Sequence, residues 1–177
     1  MHASRNCGDR RKHAIHWIVR WTVDFVTELW KSGVVAEEQA FIDNGSVVEV
    51  GKLGTTGQIG WYVPDYVVKD HPSLATWEGL KDPAIVKLFA TSATGDKGRF
   101  LGTDPSYSAY DGPLITTLGL NFELQNSGSE AATVAEVDSA VAAKKPILLY
   151  WWSPTAAADV AAAWIKANES IWKAWFA

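Results

Sequence analysis

Cysteine is nearly absent from this sequence, and no familiar metal-binding pattern accompanies it. Cys7 is the single cysteine among 177 residues. A single cysteine excludes an intrachain disulfide and any cluster of thiolate ligands. Three of the four histidines lie within the first sixteen residues, without a regular ligand spacing. We therefore predict no metal site in this chain.

Positive charge and long apolar runs are also scarce. The net charge is -4 at pH 7, which argues against a nucleic-acid partner because such proteins present a basic face. The basic stretch 5–13 is interpreted as a solvated tail. No run of eighteen apolar residues occurs, so we predict no membrane-spanning segment. Residues 14–26 are interrupted by His16, Arg20 and Asp24, and they make no convincing signal peptide.

The sequence also lacks the motifs that mark common catalytic sites. It contains no G-x-x-x-x-G-K-[ST] loop for nucleotide phosphates and no G-x-S-x-G nucleophile elbow. Cys7 has no evident catalytic partner, and the carboxylates are scattered rather than paired. Residues 95–98, GDKG, have the wrong spacing for a phosphate loop, so a surface turn is expected. We predict that the protein is not an enzyme, has no catalytic residue and uses no cofactor.

Tryptophan is the residue present in unusual number, with ten in the chain. Three aromatic residues stand at the ends of predicted elements, each beside turn-forming residues: Trp30 precedes KSG, Tyr107 follows DPS, and Trp152 precedes SP. In α/β proteins the loops at the carboxyl ends of strands form the ligand crevice. The neighbouring Trp151 is expected to face the opposite side of its strand, because successive side chains alternate.

Rings grouped in this way suit a ligand that carries a methylated cation. A quaternary ammonium group has no N–H to donate, and the negative face of an aromatic ring attracts it without a hydrogen bond. The alternative is that the three rings simply pack in the core. Spacing alone favours this alternative, because aromatic side chains dominate the packing of cores.

Strand-like and helix-like segments alternate over residues 57–152, which predicts an α/β fold. Within this span, DPAIVKLFA (82–90) is predicted as a helix capped by Asp82, with proline at its first position. Ser127 and Glu130 have the spacing of a capping box and predict the start of an alanine-rich helix. A helix over 108–120 is expected to be interrupted by its Gly-Pro pair.

Outside this span the patterns predict three further elements. Residues 36–45 are predicted as a helix that ends at Gly45, and residues 46–51, SVVEVG, as a strand. Residues 159–177 are predicted to be helical. An apolar stripe on this last segment needs a large apolar partner, and it is formed by Val160, Trp164, Ile171 and Trp175.

Seven segments of the sequence occur in a specific order: VTELWKSGV (26–34), LGTTGQIGWYVPDYVV (53–68), LATWEGLKDPAIVKLF (74–89), GRFLGTDPSYSAYD (98–111), LGLNFELQNSGSEAA, KKPILLYWWSP and AAAWIKANESIWKAW. In this order they resemble the glycine betaine/proline betaine substrate-binding proteins of ABC importers. The second segment closely resembles the G-x-x-GWYVP signature of that family. The resemblance implies an α/β fold of the periplasmic-binding-protein type II kind, with one nearly complete lobe and a partial second lobe.

The resemblance also implies a division of the chain into four parts. These are an atypical segment at 1–20, a remnant of the first lobe with its crossover at 21–56, a nearly complete α/β lobe at 57–152, and C-terminal helices of the first lobe at 153–177.

The same resemblance assigns the binding residues. Trp30, Tyr107 and Trp152 match the three walls of the family's aromatic box, and tryptophan often stands in family members where this chain has Tyr107. The backbone N–H groups of Ser108 and Ala109 match the turn that anchors the ligand's carboxylate. A histidine found in some members is replaced here by Val34.

The implied function is capture of glycine betaine or a related quaternary ammonium compatible solute. The implied partners are this small ligand and an ABC permease, and the implied location is periplasmic or otherwise extracytoplasmic. Two departures from the family are evident: its opening segment has no recognisable counterpart here, and a long segment after Trp152 is skipped. A truncated or internally deleted member is therefore expected. One alternative is a single-lobe remnant without ligand affinity, acting at most as an interaction or structural piece. Another is a carbohydrate-binding module.

Overall fold

A computed structural model describes most of the chain between residues 14 and 153. The described residues are 14–19, 24–26, 29–31, 34–52, 57–108 and 110–153. They divide into two compact units. The first unit contains the described residues up to 52 together with 104–108, and the second contains 57–103 together with 110–153.

The second unit is built on a four-stranded mixed sheet. Its strands are β1 (Gln58–Tyr62), β2 (Gly98–Gly102), β3 (Phe122–Asn126) and β4 (Leu149–Ser153). They lie side by side in the order β1-β4-β2-β3. Strand β1 pairs antiparallel with β4, whereas β2 is parallel to both β3 and β4. The alternation of strands and helices predicted for this region is confirmed, and the fold is α/β.

Helices connect these strands, as parallel neighbours require. The helices of this unit are α3 (Asp65–Asp70), α4 (Pro83–Leu88), α5 (Asp111–Thr117) and α6 (Glu130–Ala142), with two short 3-10 helices at Pro72–Ala75 and Trp77–Lys81.

The core lies along the central strands. Phe100 and Leu101 on β2 are 0% exposed, and Leu149, which pairs with Leu101, is also buried on β4. A strand with neighbours on both sides and cover on both faces favours a continuous apolar run rather than alternation. This explains why PILLYWW and RFL are recognisable as strands although they do not alternate.

The start of α4 is as predicted. The Asp82 carboxylate accepts the Ala84 backbone N–H at 2.8 Å, and Pro83 is the first helical residue. This position suits proline, because its missing N–H would have no partner within the helix.

The start of α6 differs from the prediction. The helix is capped by Ser129, whose hydroxyl accepts the Ala132 N–H at 3.2 Å, and Glu130 is its first residue. The predicted capping box of Ser127 and Glu130 is therefore wrong. Ser127 instead places its hydroxyl 2.6 Å from that of Thr133, which is fully buried. Both serines are chemically able to cap, and the turn at Gly128, with φ of 86°, selects the later one.

The predicted interrupted helix over 108–120 is also corrected. Helix α5 begins only at Asp111, so Pro113 lies in its first turn, where proline is tolerated. The helix ends at Thr117, and Gly119 follows with a positive φ of 67°. The Gly-Pro pair marks the beginning of a helix rather than a break within one.

The first unit contains α1 (Ala14–Val19) and α2 (Ala36–Asp43). Helix α2 ends as predicted, with Gly45 just beyond it at φ 77°. The strand predicted over 46–51 is wrong: these residues form no strand, and Val50 is 97% exposed. A β-propensity pattern needs a neighbouring strand to pair with, and none of the described residues supplies one. The predicted C-terminal helices and the stripe at Val160, Trp164, Ile171 and Trp175 lie outside the described residues.

Candidate functional site

The predicted binding residues are divided between the two units. Trp30, Tyr107 and Ser108 belong to the first unit, and Trp152 belongs to the second. Ala109 lies outside the described residues. Trp30, Tyr107 and Ser108 are half-buried, whereas Trp152 is buried with 8% of its surface exposed.

A tight turn positions Tyr107. The Tyr107 N–H donates to the Asp104 carbonyl at 2.9 Å, which closes a four-residue turn. The Asp104 carboxylate also accepts the Ser106 N–H at 2.7 Å, as aspartate commonly does in such turns. Pro105 supplies the fixed φ that the second turn position prefers. The DPS sequence thus sets the backbone from which the Tyr107 ring projects.

The backbone that follows Trp30 is held in a similar way. The Lys31 carbonyl accepts the Val34 N–H at 3.3 Å, and the Lys31 ammonium pairs with Glu49 at 2.6 Å. This ion pair is largely exposed, so it orders the segment only weakly. Val34 offers no polar side chain to a ligand.

The two adjacent tryptophans of β4 do not behave as predicted. Their rings stack on each other, with centroids 4.4 Å apart and planes inclined by 23°. The expectation that the two indoles diverge is wrong, because strand alternation fixes only the Cα–Cβ directions and not the final position of a long ring. Opposite Trp151 on β1 stands Gly60, which has no side chain to pack against the indole. Trp151 therefore covers one face of Trp152, and a cation would have to approach its other face.

Sequence analysis did not find a polar contact that fixes the start of α5. The Trp61 indole N–H donates to the Asp111 carboxylate at 2.7 Å, and Asp111 is only 4% exposed. The Trp61 ring also packs on Phe100, with centroids 4.7 Å apart. The sequence carried one usable signal, an acidic residue followed by Gly-Pro, which is typical of a helix start. Nothing in the sequence pointed to its partner.

Two buried hydroxyls flank Asp104 in the sequence and were also missed. Thr103 Oγ1 and Ser106 Oγ have no hydrogen-bond partner within the described part of the chain. Buried polar groups without partners are uncommon in proteins, so each one needs a physical explanation. Both hydroxyls lie close in sequence to the turn that positions Tyr107.

A cavity of about 390 Å³ lies in the second unit beside α6. Its floor is apolar, with Phe89, Leu101 and Leu148, and its rim carries Arg99 and Glu136. The Arg99 guanidinium donates to the Glu136 carboxylate at 2.6 Å, so the arginine is already paired. None of the predicted binding residues lines this cavity.

Comparison with known families now identifies the class of protein. Residues 20–166 match the family described as the substrate binding domain of the ABC-type glycine betaine transport system. The class is a substrate-binding protein with the periplasmic-binding-protein type II fold, and it is not a class of enzymes. Since the match covers most of the chain, the chain belongs to this family. The resemblance inferred from the sequence motifs is confirmed.

Individual relatives agree with this assignment at low identity. The trimethylamine N-oxide-binding protein of Pelagibacter ubique is 28% identical over 134 residues, which cover 72% of this chain and 42% of that protein. The glycine betaine/proline betaine-binding periplasmic protein of Escherichia coli is 31% identical over 96 residues, covering 52% of this chain and 29% of that protein. The corresponding Salmonella typhimurium protein is 28% identical over 110 residues, or 59% and 32% of the two chains.

The chain thus spans less than half the length of the curated relatives it matches. Within the part that the structure describes, no helix combines the length and the apolar character needed to cross a bilayer.

Proposed function

We propose that this chain captures glycine betaine or a related quaternary ammonium compatible solute as the substrate-binding component of an ABC importer. The observation that carries the proposal is the family match over residues 20–166. The motifs around Trp30, Tyr107 and Trp152 support it further, because each ring sits beside turn-forming residues within a family-like segment. The four-part division of the chain, with boundaries after residues 20, 56 and 152, belongs to the same proposal.

The proposed binding mode is an aromatic box around the methylated cation. A desolvated cation on a ring face gains about 2 kcal/mol, so three faces supply on the order of 6 kcal/mol. A micromolar complex needs about 8 kcal/mol. The remainder is assigned to the ligand's carboxylate, bound by the backbone N–H groups of Ser108 and Ala109. Trp152 contributes a single face, since Trp151 covers the other.

The proposal includes the partner and the location that the family implies. The loaded protein would present its ligand to an ABC permease, and it would act in the periplasm or an equivalent extracytoplasmic space. The chain would perform no covalent step, because capture and release by a binding protein require only reversible contacts.

Isothermal titration with glycine betaine tests the proposal directly. We expect a dissociation constant in the micromolar range for the wild-type chain, and no measurable binding for Trp152→Ala. Trp77→Ala is the matched control. Trp77 is 40% exposed, contacts Lys81 rather than the predicted box, and should leave the affinity unchanged. The proposal would be wrong if a protein shown to be folded by circular dichroism released no heat at millimolar glycine betaine.

A panel of ligands tests which chemical groups of the ligand the protein recognises. Choline keeps the trimethylated cation but lacks the carboxylate, so it should bind more weakly than glycine betaine if the backbone anchor at Ser108 exists. Trimethylamine N-oxide, the ligand named for the Pelagibacter relative, carries its oxygen directly on the nitrogen and has no carboxylate to occupy the same anchor. Tighter binding of trimethylamine N-oxide than of glycine betaine would keep the aromatic box and reject the carboxylate anchor.

A second candidate is a chain that has lost ligand affinity and acts at most as an interaction or structural piece. The burial of Trp152, which is 8% exposed and stacked on Trp151, favours this possibility. It predicts a folded protein, dimeric by size-exclusion chromatography, that gives no heat with any ligand of the panel.

A further inference from the structure

We propose that the hydrogen bond from Trp61 to Asp111 holds the segment 104–108 in the conformation that binds ligand. Trp61 and Asp111 would then be positioning residues, which touch no ligand themselves and act through Tyr107 and Ser108. The consequence for affinity rests on the proposed function. The mechanical part, the ordering of the segment, does not depend on any ligand.

The segment is short, and its preceding end is fixed within the second unit. The Gly102 carbonyl accepts the Ser127 N–H at 2.9 Å, and the Thr103 carbonyl accepts the Gly128 N–H at 3.3 Å. Thr103 is 2% exposed, so the chain leaves this unit from a buried and hydrogen-bonded position. The start of the segment has little freedom.

Beyond the other end of the segment the chain is fixed by Asp111, three residues after Ser108. Its carboxylate is 4% exposed and accepts the Trp61 indole N–H at 2.7 Å. A buried carboxylate requires hydrogen-bond donors, because removing a charge from water is costly unless the charge is paired or hydrogen-bonded. Hydrogen bonds to charged acceptors are also stronger than those between neutral groups. This bond therefore holds the first turn of α5 against β1.

Trp61 is itself held rigidly enough to serve as an anchor. It lies on β1 opposite Tyr150 of β4, within an antiparallel ladder of five pairs. Its ring packs on Phe100, which is 0% exposed. The indole N–H is thus presented from the core of the second unit.

Trp61→Phe is the informative variant, because it keeps a ring against Phe100 and removes the N–H donor. We expect the amide hydrogens of Ser106 and Tyr107 to exchange about tenfold faster, as local opening of the turn becomes easier. The amide of Leu101, which donates to Leu148 in the sheet, should exchange at its wild-type rate. Glycine betaine affinity should fall by the factor by which the population of the binding-competent turn falls, which is at most about tenfold.

Tyr62→Phe is the matched control on the adjacent residue of β1. It removes a hydroxyl that contacts the Gln58 carbonyl at 3.4 Å and should leave exchange at Ser106 and Tyr107 unchanged. If Trp61→Phe does not fold, Asp111→Asn replaces it; this variant keeps an acceptor oxygen without the charge, and a smaller increase in exchange is expected.

The two possible failures are distinguishable. Unchanged exchange at Ser106 and Tyr107 in Trp61→Phe overturns the positioning role, whatever the wild-type affinity. Faster exchange in a protein that binds no betaine supports the ordering of the segment and refutes the proposed function alone. An equal increase at Ser106 and Leu101 shows general loosening of the sheet and also overturns the positioning role.

Discussion

The two units of the chain differ in how their described residues are buried. In the second unit, Phe100 and Leu101 are completely buried on a strand that has a neighbour on each side. In the first unit, helix α2 buries none of its residues, and Phe25 and Val50 are 73% and 97% exposed. The second unit therefore has an apolar core of its own among its described residues. The difference predicts that the same substitution will have very unequal effects at Phe100 and at Phe25.

The largest expected effect comes from emptying the core of the second unit. Phe100→Ala removes a fully buried ring and its contact with Trp61. We expect the free energy of unfolding to fall by about 3–5 kcal/mol, the range found for phenylalanine truncation in cores. Urea denaturation followed by circular dichroism measures this change.

Phe25→Ala is the matched substitution in the first unit. Because Phe25 is 73% exposed, the free energy of unfolding should change by less than about 0.5 kcal/mol. Similar losses for the two variants would contradict the contrast between the units, and would mean that the Phe25 ring is buried in solution.

A smaller effect is expected from the helix caps, which also differ between the units. Helix α6 is capped by the Ser129 hydroxyl, so Ser129→Ala should lower the free energy of unfolding by about 1 kcal/mol. Helix α2 has Val35 at the same position, with no side-chain cap. Val35→Ser should therefore stabilise α2, by up to about 1 kcal/mol. Thermal denaturation of both variants checks the opposite signs, and a loss for Val35→Ser would contradict this account.

The features of the fold that sequence predicts correctly are those set by residues next to each other in the chain. Asp82 and Pro83 set the start of α4 through neighbouring atoms, and that prediction is confirmed. The α6 cap was placed two residues too early, because Ser127 and Ser129 are both suitable and only the turn between them decides. The strand order β1-β4-β2-β3 depends on pairings between distant segments, which no local pattern encodes.

The residues of the candidate site show the same distinction between local sequence signals and contacts between distant residues. Trp30, Tyr107 and Trp152 were predicted because each ring lies beside turn residues within a family-like motif. The contact between Trp61 and Asp111 was missed because its two residues are fifty positions apart. The stacking of Trp151 on Trp152 was missed because alternation along a strand does not fix the direction of an indole. Side-chain contacts of these kinds follow from the fold and cannot be read from spacing.

The smallest expected effect concerns the edge of the sheet, and it appears only at alkaline pH. Burial raises the pKa of Tyr62 on β1, and a hydrogen bond with Ser153 opposes this shift only in part. The folded state therefore holds the phenol proton more tightly than the unfolded state, whose tyrosine titrates near pH 10. The contribution of the protonated Tyr62 phenol to the free energy of unfolding is therefore complete below pH 10. It is lost as pH rises from there towards the folded-state pKa.

Tyr62→Phe cannot ionise and should lack this loss. The unfolding free energy of wild type minus that of Tyr62→Phe should be constant from about pH 7 to 9 and should fall above about pH 10. Urea titrations at several pH values measure it, and the other tyrosines cancel because both proteins contain them. Parallel curves up to pH 11 would show that Tyr62 is as solvated at the sheet edge as in the unfolded chain. In that case the burial that distinguishes the second unit would be confined to its central strands.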